Sequence, residues 1–352
     1  MKRIYIMLIA IIITASFIFS YNSYQKRRFN VATTEIHNSS TIETNVDELW
    51  CGSFQLAWNE LTEKLGGKIY FEDEKSGSER ILNERKFVKE MLKEDDYYIK
   101  IKESPFNSRE LKEEIYSEML EKFGTDKSSL LESLNFDTVN GIIIYSIIEK
   151  KFNFLNEFED LGKKDFSDIY GNTKQIKYFG KGSDSDENLK DNAQILYDND
   201  LGSYIIKLNT KEDEEIILYK TENVKLFSIE ELYDEIIELS TNYKGRNYLR
   251  SNDTLEIPYI NLNTVINYSD ICNRTIKGTN GKYIEMALQD ISFSLTPTGG
   301  NVKSEATIKE IALSIPKIYN FNSPFAVFIK EKDKEKPYFA TKILDTTFLI
   351  LD

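Results

Sequence analysis

The pattern of apolar residues changes near residue 139, and this change constrains the fold more than any other feature of the sequence. Before it, apolar side chains recur at helical spacing in residues 50–65, 83–93 and 108–123. After it, short runs rich in Ile, Tyr and Phe alternate with turn residues, which is typical of strands. Helices followed mainly by strands predict an α+β fold with large mixed or antiparallel sheets.

Residues 141–148 carry apolar side chains at consecutive positions and predict a strand buried on both faces. One further helix is predicted at residues 227–239. The other predicted strands are residues 194–197, 203–208, 215–220, 255–262, 286–295, 325–330 and 338–343. Residues 199–202 and 210–214 have turn composition and predict two hairpins. No repeat or interdomain linker interrupts residues 49–352, so we expect one domain there.

The N-terminal residues 1–28 have the composition of an export segment. Lys2 and Arg3 precede an apolar run at residues 4–20, and residues 29–48 form a polar linker. The run is longer than most signal-peptide cores and short for a membrane span, so a cleaved signal peptide and an uncleaved membrane anchor both remain open. Either one predicts an extracytoplasmic protein, which is secreted or anchored in the membrane by this run.

Charge and histidine content exclude several functional classes. The 352 residues include 58 acidic and 45 basic side chains, for a formal net charge of −13. Nucleic-acid binding would need a clustered positive surface, which the sequence lacks. The single histidine, His37, lies in the polar linker, so we expect neither imidazole-based catalysis nor a histidine-containing metal centre.

Three other motifs fit ordinary turns better than functional sites. Residues 179–182 are too short for a phosphate loop and predict a turn. Asp184 and Asp186 begin like a calcium loop, but Leu189 occupies the position that requires glycine. The acidic residues 212–215 could supply a carboxylate pair for glycoside chemistry. In so acidic a chain such pairs arise by chance, and a solvated hairpin tip is the better interpretation.

The chain has two cysteines, Cys51 and Cys272. In an oxidising compartment they could form a disulfide that closes a long loop and stabilises the fold. Two buried free thiols are the alternative, and the sequence leaves both open.

Near the C-terminus, residues 321–325 read Phe-Asn-Ser-Pro-Phe. This segment resembles the closing hairpin of the serpin family, and the resemblance to that family covers residues 139–352, most strongly near the C-terminus. Residues 255–258 are similar to its Leu-x-Leu-Pro strand, and residues 291–295 to the strand before its reactive-centre loop. Further similar segments are residues 141–148, 328–329, 337–339 and 342–344. The resemblance implies a serpin-like fold with an exposed reactive-centre-type loop.

The sequence also departs from that family's pattern. Only about 90 residues separate Trp50 from Gly141, so the N-terminal helical region is shortened. Ser146 and Phe154 occupy two signature positions where the family has Asn and Trp. Pro297 replaces the acidic residue at the base of the loop, which could change how the loop hinge opens.

The resemblance assigns the loop residues. It implies a scissile bond between Leu313 and Ser314, and a hinge formed by Gly299, Gly300, Val302, Ser304 and Ala306. The residues themselves show that alternate positions from 300 to 308 are small or apolar, while the positions between them are polar. With this period of two, the segment could enter a sheet as a strand without burying a charge, although an ordinary surface strand has the same pattern.

The resemblance implies a protein that is not an enzyme and that has no metal or cofactor. It implies an inhibitor that traps a serine-type protease as a suicide substrate by loop insertion. A leucine before the cut favours a chymotrypsin-like or subtilisin-like partner. A trypsin-like partner would need a basic residue there, and Lys309 and Lys317 each lie four residues from Leu313. A non-inhibitory serpin-like binding or scaffold protein at the cell surface is the alternative, which Pro297 and the shortened helical region favour.

Overall fold

A computed structural model describes residues 49–73, 76–84, 92, 96–104, 107–124, 141–148, 152–298 and 316–351. These residues form four α-helices and fourteen strands in three sheets. The helices are α1 (Ser53–Leu65), α2 (Gly77–Glu84), α3 (Ser108–Phe123) and α4 (Ile229–Asn242). Within this part of the chain, no helix is both long enough and apolar enough to cross a membrane.

The strands occur mainly after residue 139, as the sequence predicts. They are β1 (Leu49–Cys51), β2 (Tyr97–Glu103), β3 (Ile142–Ile148), β4 (Glu159–Ser167), β5 (Thr173–Lys181), β6 (Ala193–Asp198), β7 (Tyr204–Asn209), β8 (Glu214–Lys220), β9 (Thr254–Pro258), β10 (Ile260–Asn267), β11 (Ile284–Leu295), β12 (Ile318–Asn320), β13 (Phe325–Glu331) and β14 (Phe339–Ile343).

The strands form three sheets. The six-stranded sheet has the order β1-β14-β13-β8-β7-β6. A four-stranded sheet of order β10-β11-β3-β2 is named the β3 sheet here, and one of order β12-β9-β5-β4 is named the β12 sheet. The β3 sheet and the β12 sheet each contain both parallel and antiparallel pairs.

Strand β3 is covered by a helix on each face. Ile142 and Ile144 face α1 in one buried cluster, whereas Ile143, Tyr145 and Ile147 face α3 in another. Because both faces are buried, consecutive positions of the strand must be apolar. The predicted strand at residues 141–148, buried on both faces, is therefore confirmed.

The six-stranded sheet carries α4 on its outer face and the main core on the other. Ser228 and Glu231 form a reciprocal capping box at the start of α4. Leu232 and Ile236 then pack on the sheet. The opposite face joins side chains from the other two sheets in the largest buried cluster, which positions the three sheets relative to one another.

Three sequence predictions are corrected by the structure. Residues 255–262, predicted as one strand, belong to two strands in different sheets, β9 and β10, which are separated at Tyr259. The predicted turn at residues 179–182 is wrong, because residues 179–181 belong to β5. Gly180 allows β5 to approach β9 closely, because a Cβ atom at this position would lie 1.9 Å from the carbonyl oxygen of Leu255 in β9. The side chain that caps α3 belongs to Asn107 and not to Ser108, and it accepts a 2.8 Å hydrogen bond from the Arg109 N–H.

Candidate functional site

The two described ends of the candidate reactive loop belong to different sheets. Strand β11 ends at Leu295 in the β3 sheet, and the chain is described as far as Thr298. It is described again from residue 316 and enters β12 in the β12 sheet. The hinge and scissile-bond residues named from the sequence lie outside the described residues: Gly299, Gly300, Val302, Ser304, Ala306, Leu313 and Ser314.

Strands β11 and β3 are parallel neighbours. Their pairing extends from Ile284 opposite Ile142 to Asp290 opposite Ile147. On its other side β11 pairs with β10 in antiparallel fashion. A strand that turned back from the end of β11 and entered between β11 and β3 would be antiparallel to both. It would have to separate the β11–β3 pairing, whereas the β10–β11 pairing could stay intact.

A buried polar cluster bridges this junction. The Gln289 amide of β11 donates 2.8 Å hydrogen bonds to the Ser53 hydroxyl and to the Cys51 carbonyl oxygen. Ser146 of β3 donates to the same Ser53 oxygen at 3.3 Å, and the Tyr268 hydroxyl donates to Gln289 Oε1 at 2.9 Å. Because Ser53 begins α1, one hydroxyl connects that helix to both strands of the junction.

Both cysteines are free thiols in the structure, so the disulfide considered from the sequence is not present. Cys51 is buried with its sulfur 3.9 Å from the Ser53 hydroxyl. The Cys272 thiol donates to the Tyr268 carbonyl oxygen at 3.4 Å. Burial raises the pKa of each thiol to about 11, which keeps both neutral and poorly nucleophilic at neutral pH.

The chain just after the loop is clamped by carboxylates. The backbone N–H of Lys317 donates a 2.8 Å hydrogen bond to Asp253, whose fully buried side chain is also ion-paired with Arg246. The Lys317 ammonium lies 2.5 Å from Asp198 and also pairs with Asp200. Burial opposes ionisation of Asp198, but the Lys317 ammonium, together with the Asp200 N–H, holds the pKa of that carboxyl below its ordinary value.

Strand β12 has a second polar anchor at its other end. The Asn320 carbonyl oxygen accepts hydrogen bonds of 2.6 Å from the Tyr204 hydroxyl and from the Lys220 ammonium. The same ammonium donates to Asn322 Oδ1 at 2.7 Å. Burial lowers the pKa of Lys220 to about 8. The six-stranded sheet thus holds β12 in addition to its pairing with β9.

The chain just before the loop is held by neutral contacts. The Phe158 N–H donates to the Pro297 carbonyl oxygen at 3.1 Å, and the hydroxyls of Thr296 and Thr298 are 2.8 Å apart. The bonds found here in the described part of the chain are thus between uncharged groups. The chain that leads into the loop, residues 296–298, is therefore weakly held, and we call it the exit. The chain that follows the loop, residues 317–320, is fixed by ion pairs, and we call it the foot.

The acidic turn at residues 212–215 is structural. Glu212 accepts hydrogen bonds of 2.7 and 2.8 Å from the backbone and side chain of Asn153. Glu215 pairs with Lys207 and Lys330 at 3.1 and 2.8 Å. Among the residues that the structure describes, no group of three or more His, Cys, Asp or Glu side chains could hold a metal ion.

No protein-family model matches the sequence, and no curated protein is significantly similar to it. Many solved structures are similar to this chain in fold, among them the following three. The first is thyroxine-binding globulin in complex with thyroxine, with a TM-score of 0.55, 12% identity and coverage of 91% of this chain and 95% of that chain. Human glycosylated kallistatin has a TM-score of 0.53 and 11% identity, with coverage of 91% and 95%.

The third similar structure is Tengpin, a thermophilic serpin, in its native state. Its TM-score is 0.51 at 13% identity, with coverage of 91% of this chain and 92% of that chain. At such low identities the similarity concerns the fold alone. Together with the sheet orders and loop ends above, it shows that this chain has a serpin-like α+β fold, as the sequence resemblance implies.

Proposed function

We propose that the chain is an extracytoplasmic, serpin-like inhibitor of a serine-type protease that acts as a suicide substrate through loop insertion. The observation that carries this proposal is the parallel pairing of β11 with β3 directly before the loop. That pairing is where a returning strand could add to the sheet. The chain after the loop begins in another sheet, so the loop connects two sheets rather than two adjacent strands.

Insertion would exchange one parallel pairing for two antiparallel pairings. Antiparallel pairing is slightly more stable per residue, and the added strand would have partners on both sides. The small or apolar residues at alternate positions from 300 to 308 could face the core, and the polar ones between them could face outward. The favourable free energy of this exchange is what a trapping mechanism would use.

The chemistry would come from the protease. Its serine attacks the Leu313 carbonyl carbon, the bond to Ser314 breaks, and the protease's histidine passes a proton to the new amino group of Ser314. Leu313 is then held as an ester on the protease. The ion-paired foot at Lys317 would retain the Ser314 side, while the weakly held exit at Pro297 would let the other side move into the β3 sheet.

A mechanism in which the protease supplies the catalytic groups agrees with the single histidine of this chain. An inhibitor of this kind needs a bait bond and a sheet that can accept a strand, but no imidazole of its own. Leu313 before the bond favours a chymotrypsin-like or subtilisin-like target over a trypsin-like one.

A non-inhibitory binding or scaffold protein is the second candidate. It is favoured by Pro297. The carbonyl oxygen of this residue accepts a hydrogen bond from the Phe158 N–H, and its ring fixes the backbone where a hinge must turn. Thyroxine-binding globulin, similar in fold, was solved in complex with thyroxine. A chain with this second function would be cut in the loop without trapping the protease.

The test is incubation of the full-length chain with subtilisin, chymotrypsin and, as a specificity control, trypsin. Inhibition predicts an SDS-resistant covalent adduct with the first two enzymes and a higher melting temperature of the loop-cleaved chain. Mass spectrometry of the C-terminal fragment, separated from the rest of the chain by denaturation, would locate the cut, which is expected between Leu313 and Ser314. Cutting in the loop without an adduct and without thermal stabilisation would overturn inhibition and leave the binding function.

A further inference from the structure

Three strongly exposed apolar side chains lie on segments that are linked to the foot of the loop through Lys317 and Asp253. Leu201 is 89% exposed, Ile318 65% and Tyr248 61%. Among the large apolar side chains that the structure describes, Tyr170, at 64%, is the only other one that is more than 60% exposed. Exposed apolar groups that gather in one place are a mark of interaction surfaces, whereas single ones are ordinary.

Lys317 connects two of the three side chains. Ile318 follows it directly in the chain and lies in β12, at the edge of its sheet. The Lys317 ammonium pairs with Asp200, which directly precedes Leu201 in the turn between β6 and β7. Leu201 and Ile318 are therefore each one residue away from a member of the same ion pair.

Asp253 links the third side chain, Tyr248, to the foot. Asp253 binds the Lys317 N–H and pairs with Arg246, whose guanidinium carbon lies 5.6 Å from the centre of the Tyr248 ring. Arg246 therefore stacks near Tyr248 while it is fixed to the foot. Tyr and Arg, together with Trp, are the residue types enriched at the energetic centres of protein interfaces.

The turn that presents Leu201 is ordered by its own side chains. Asn199 Oδ1 accepts hydrogen bonds from the N–H groups of Leu201 at 2.8 Å and Ser203 at 3.0 Å. Asp200 adopts a left-handed backbone with φ of 61°. Because the turn is already fixed, a partner that covered Leu201 would lose little free energy in ordering it.

We propose that Leu201, Tyr248 and Ile318 form a secondary contact surface for the target protease, a proposal that rests on the proposed inhibitory function. Leu313 precedes Lys317 by four residues, so the two lie at most ~14 Å apart even in a fully extended chain. A protease of about 250 residues has a radius of gyration of roughly 18 Å. An enzyme whose active site holds Leu313 is therefore large enough to contact the foot.

The charge on this surface indicates which groups the protease should carry opposite it. The Asp200 side chain is 73% exposed although it pairs with Lys317, and it borders Leu201. The matching surface of the protease, on the side of its cleft that receives the residues after the cut, should therefore carry apolar groups and a basic one. Proteases with this complement would associate faster than those that recognise only the scissile sequence.

The test uses subtilisin and chymotrypsin whose catalytic serine is replaced by alanine, so that binding is measured without cleavage. The full-length wild-type chain is compared with Tyr248→Ser and with a triple variant, Leu201→Ser, Tyr248→Ser and Ile318→Thr. Tyr170→Ser is the control, because Tyr170 is equally exposed but lies in the turn between β4 and β5. We expect the triple variant to bind about tenfold or more weakly, and the control to bind like wild type.

Adduct formation with the active enzymes separates this proposal from the proposed function. If adducts form but the triple variant binds and reacts like wild type, the contact surface is wrong and inhibition stands. If no adduct forms but the triple variant still binds more weakly than the control, the surface stands and inhibition is wrong. If neither protease binds the wild-type chain, both are wrong.

Melting temperatures close to wild type are expected for every variant, and Tyr248→Ser alone provides the comparison if the triple variant does not fold.

Discussion

The side-chain amide of Gln289 donates a 2.8 Å hydrogen bond to the hydroxyl of Ser53, a residue 236 positions earlier in the sequence. Both side chains are completely buried. Because Ser146 of β3 reaches the same hydroxyl, the bond joins the two strands that loop insertion would separate. The stability of the junction and its capacity to open therefore depend on the same few polar atoms.

Gln289→Leu should lower the free energy of unfolding by about 3 kcal/mol, because the Ser53 hydroxyl and the Cys51 carbonyl oxygen lose a buried donor. Urea unfolding of the full-length chain measures this change. Gln175→Leu is the control, since Gln175 is exposed and a change within about 0.5 kcal/mol is expected. Equal effects of the two substitutions would show that the cluster does not stabilise the junction.

Asp253→Asn should destabilise the foot of the loop. The substitution keeps the size of the side chain but leaves the half-buried Arg246 without its ion-pair partner, at an expected cost of about 3 kcal/mol. Hydrogen exchange at the Lys317 amide should accelerate, because its acceptor is the Asp253 carboxylate. Asp165→Asn, at an exposed carboxylate, is the control, and unchanged exchange at Lys317 in the Asp253 variant would contradict the clamp.

Lys220 should make stability rise with pH in the alkaline range. Burial lowers its pKa from 10.5 to about 8 in the folded chain, so between these values the unfolded chain binds more protons. The cost of burying the charge, about 3 kcal/mol at pH 7, should disappear as the pH rises from about 8 to 10.5.

The measurement is urea unfolding of wild type and Lys220→Met at pH 7.5 and pH 10. Other titrating groups are common to both proteins, so the difference between them isolates Lys220. Wild type should gain stability relative to the variant at the higher pH. A difference that is the same at both pH values would show that the ammonium is not desolvated.

Gly180→Ala should destabilise the β12 sheet by about 3 kcal/mol or more. The backbone of Gly180 has a φ of 149°, and an added Cβ would meet the Leu255 carbonyl oxygen at 1.9 Å. Gly77→Ala is the control, because a Cβ there meets nothing within 4 Å. Thermal unfolding of both variants tests the assignment, which would be wrong if Gly180→Ala melted like wild type.

Ala306→Arg should abolish protease trapping, because Ala306 lies on the face of the loop that is proposed to face the core. Glu305→Arg alters the neighbouring position on the polar face and should leave trapping intact. The fraction of protease in SDS-resistant adduct and the rise in melting temperature after cleavage measure the outcome. Trapping by the Ala306 variant at the wild-type level would show that the face assignment is incorrect.

The sequence predicts strands best where burial is two-sided or where apolar runs are long. Strand β3 and the C-terminal hairpin meet that condition, and both were identified. Strands β4 and β5 were not, because charged residues such as Lys163 and Lys174 occupy their exposed positions and mask the strand pattern. Strand β12 is only three residues long and follows a proline, so its sequence carries little signal.

The site depends on contacts that are distant in the sequence. The glutamine at position 289, within the predicted strand at residues 286–295, was the available signal for the junction, but nothing in it indicates Ser53 as the partner. The foot likewise joins Asp253 to Lys317, 64 positions later. The loop ends could be located from the resemblance, whereas the groups that hold them became apparent only when the three sheets were assembled.

The position of β13 determines what happens to the chain if the loop is cut. Every bond between residues 299 and 315 precedes β12, β13 and β14, so cleavage would place these three strands on a separate C-terminal peptide. Strand β13 is interior to the six-stranded sheet, paired with β8 on one side and β14 on the other. The peptide would therefore remain bound, and the nicked protein would be a stable two-chain complex that elutes as one species and separates only on denaturation.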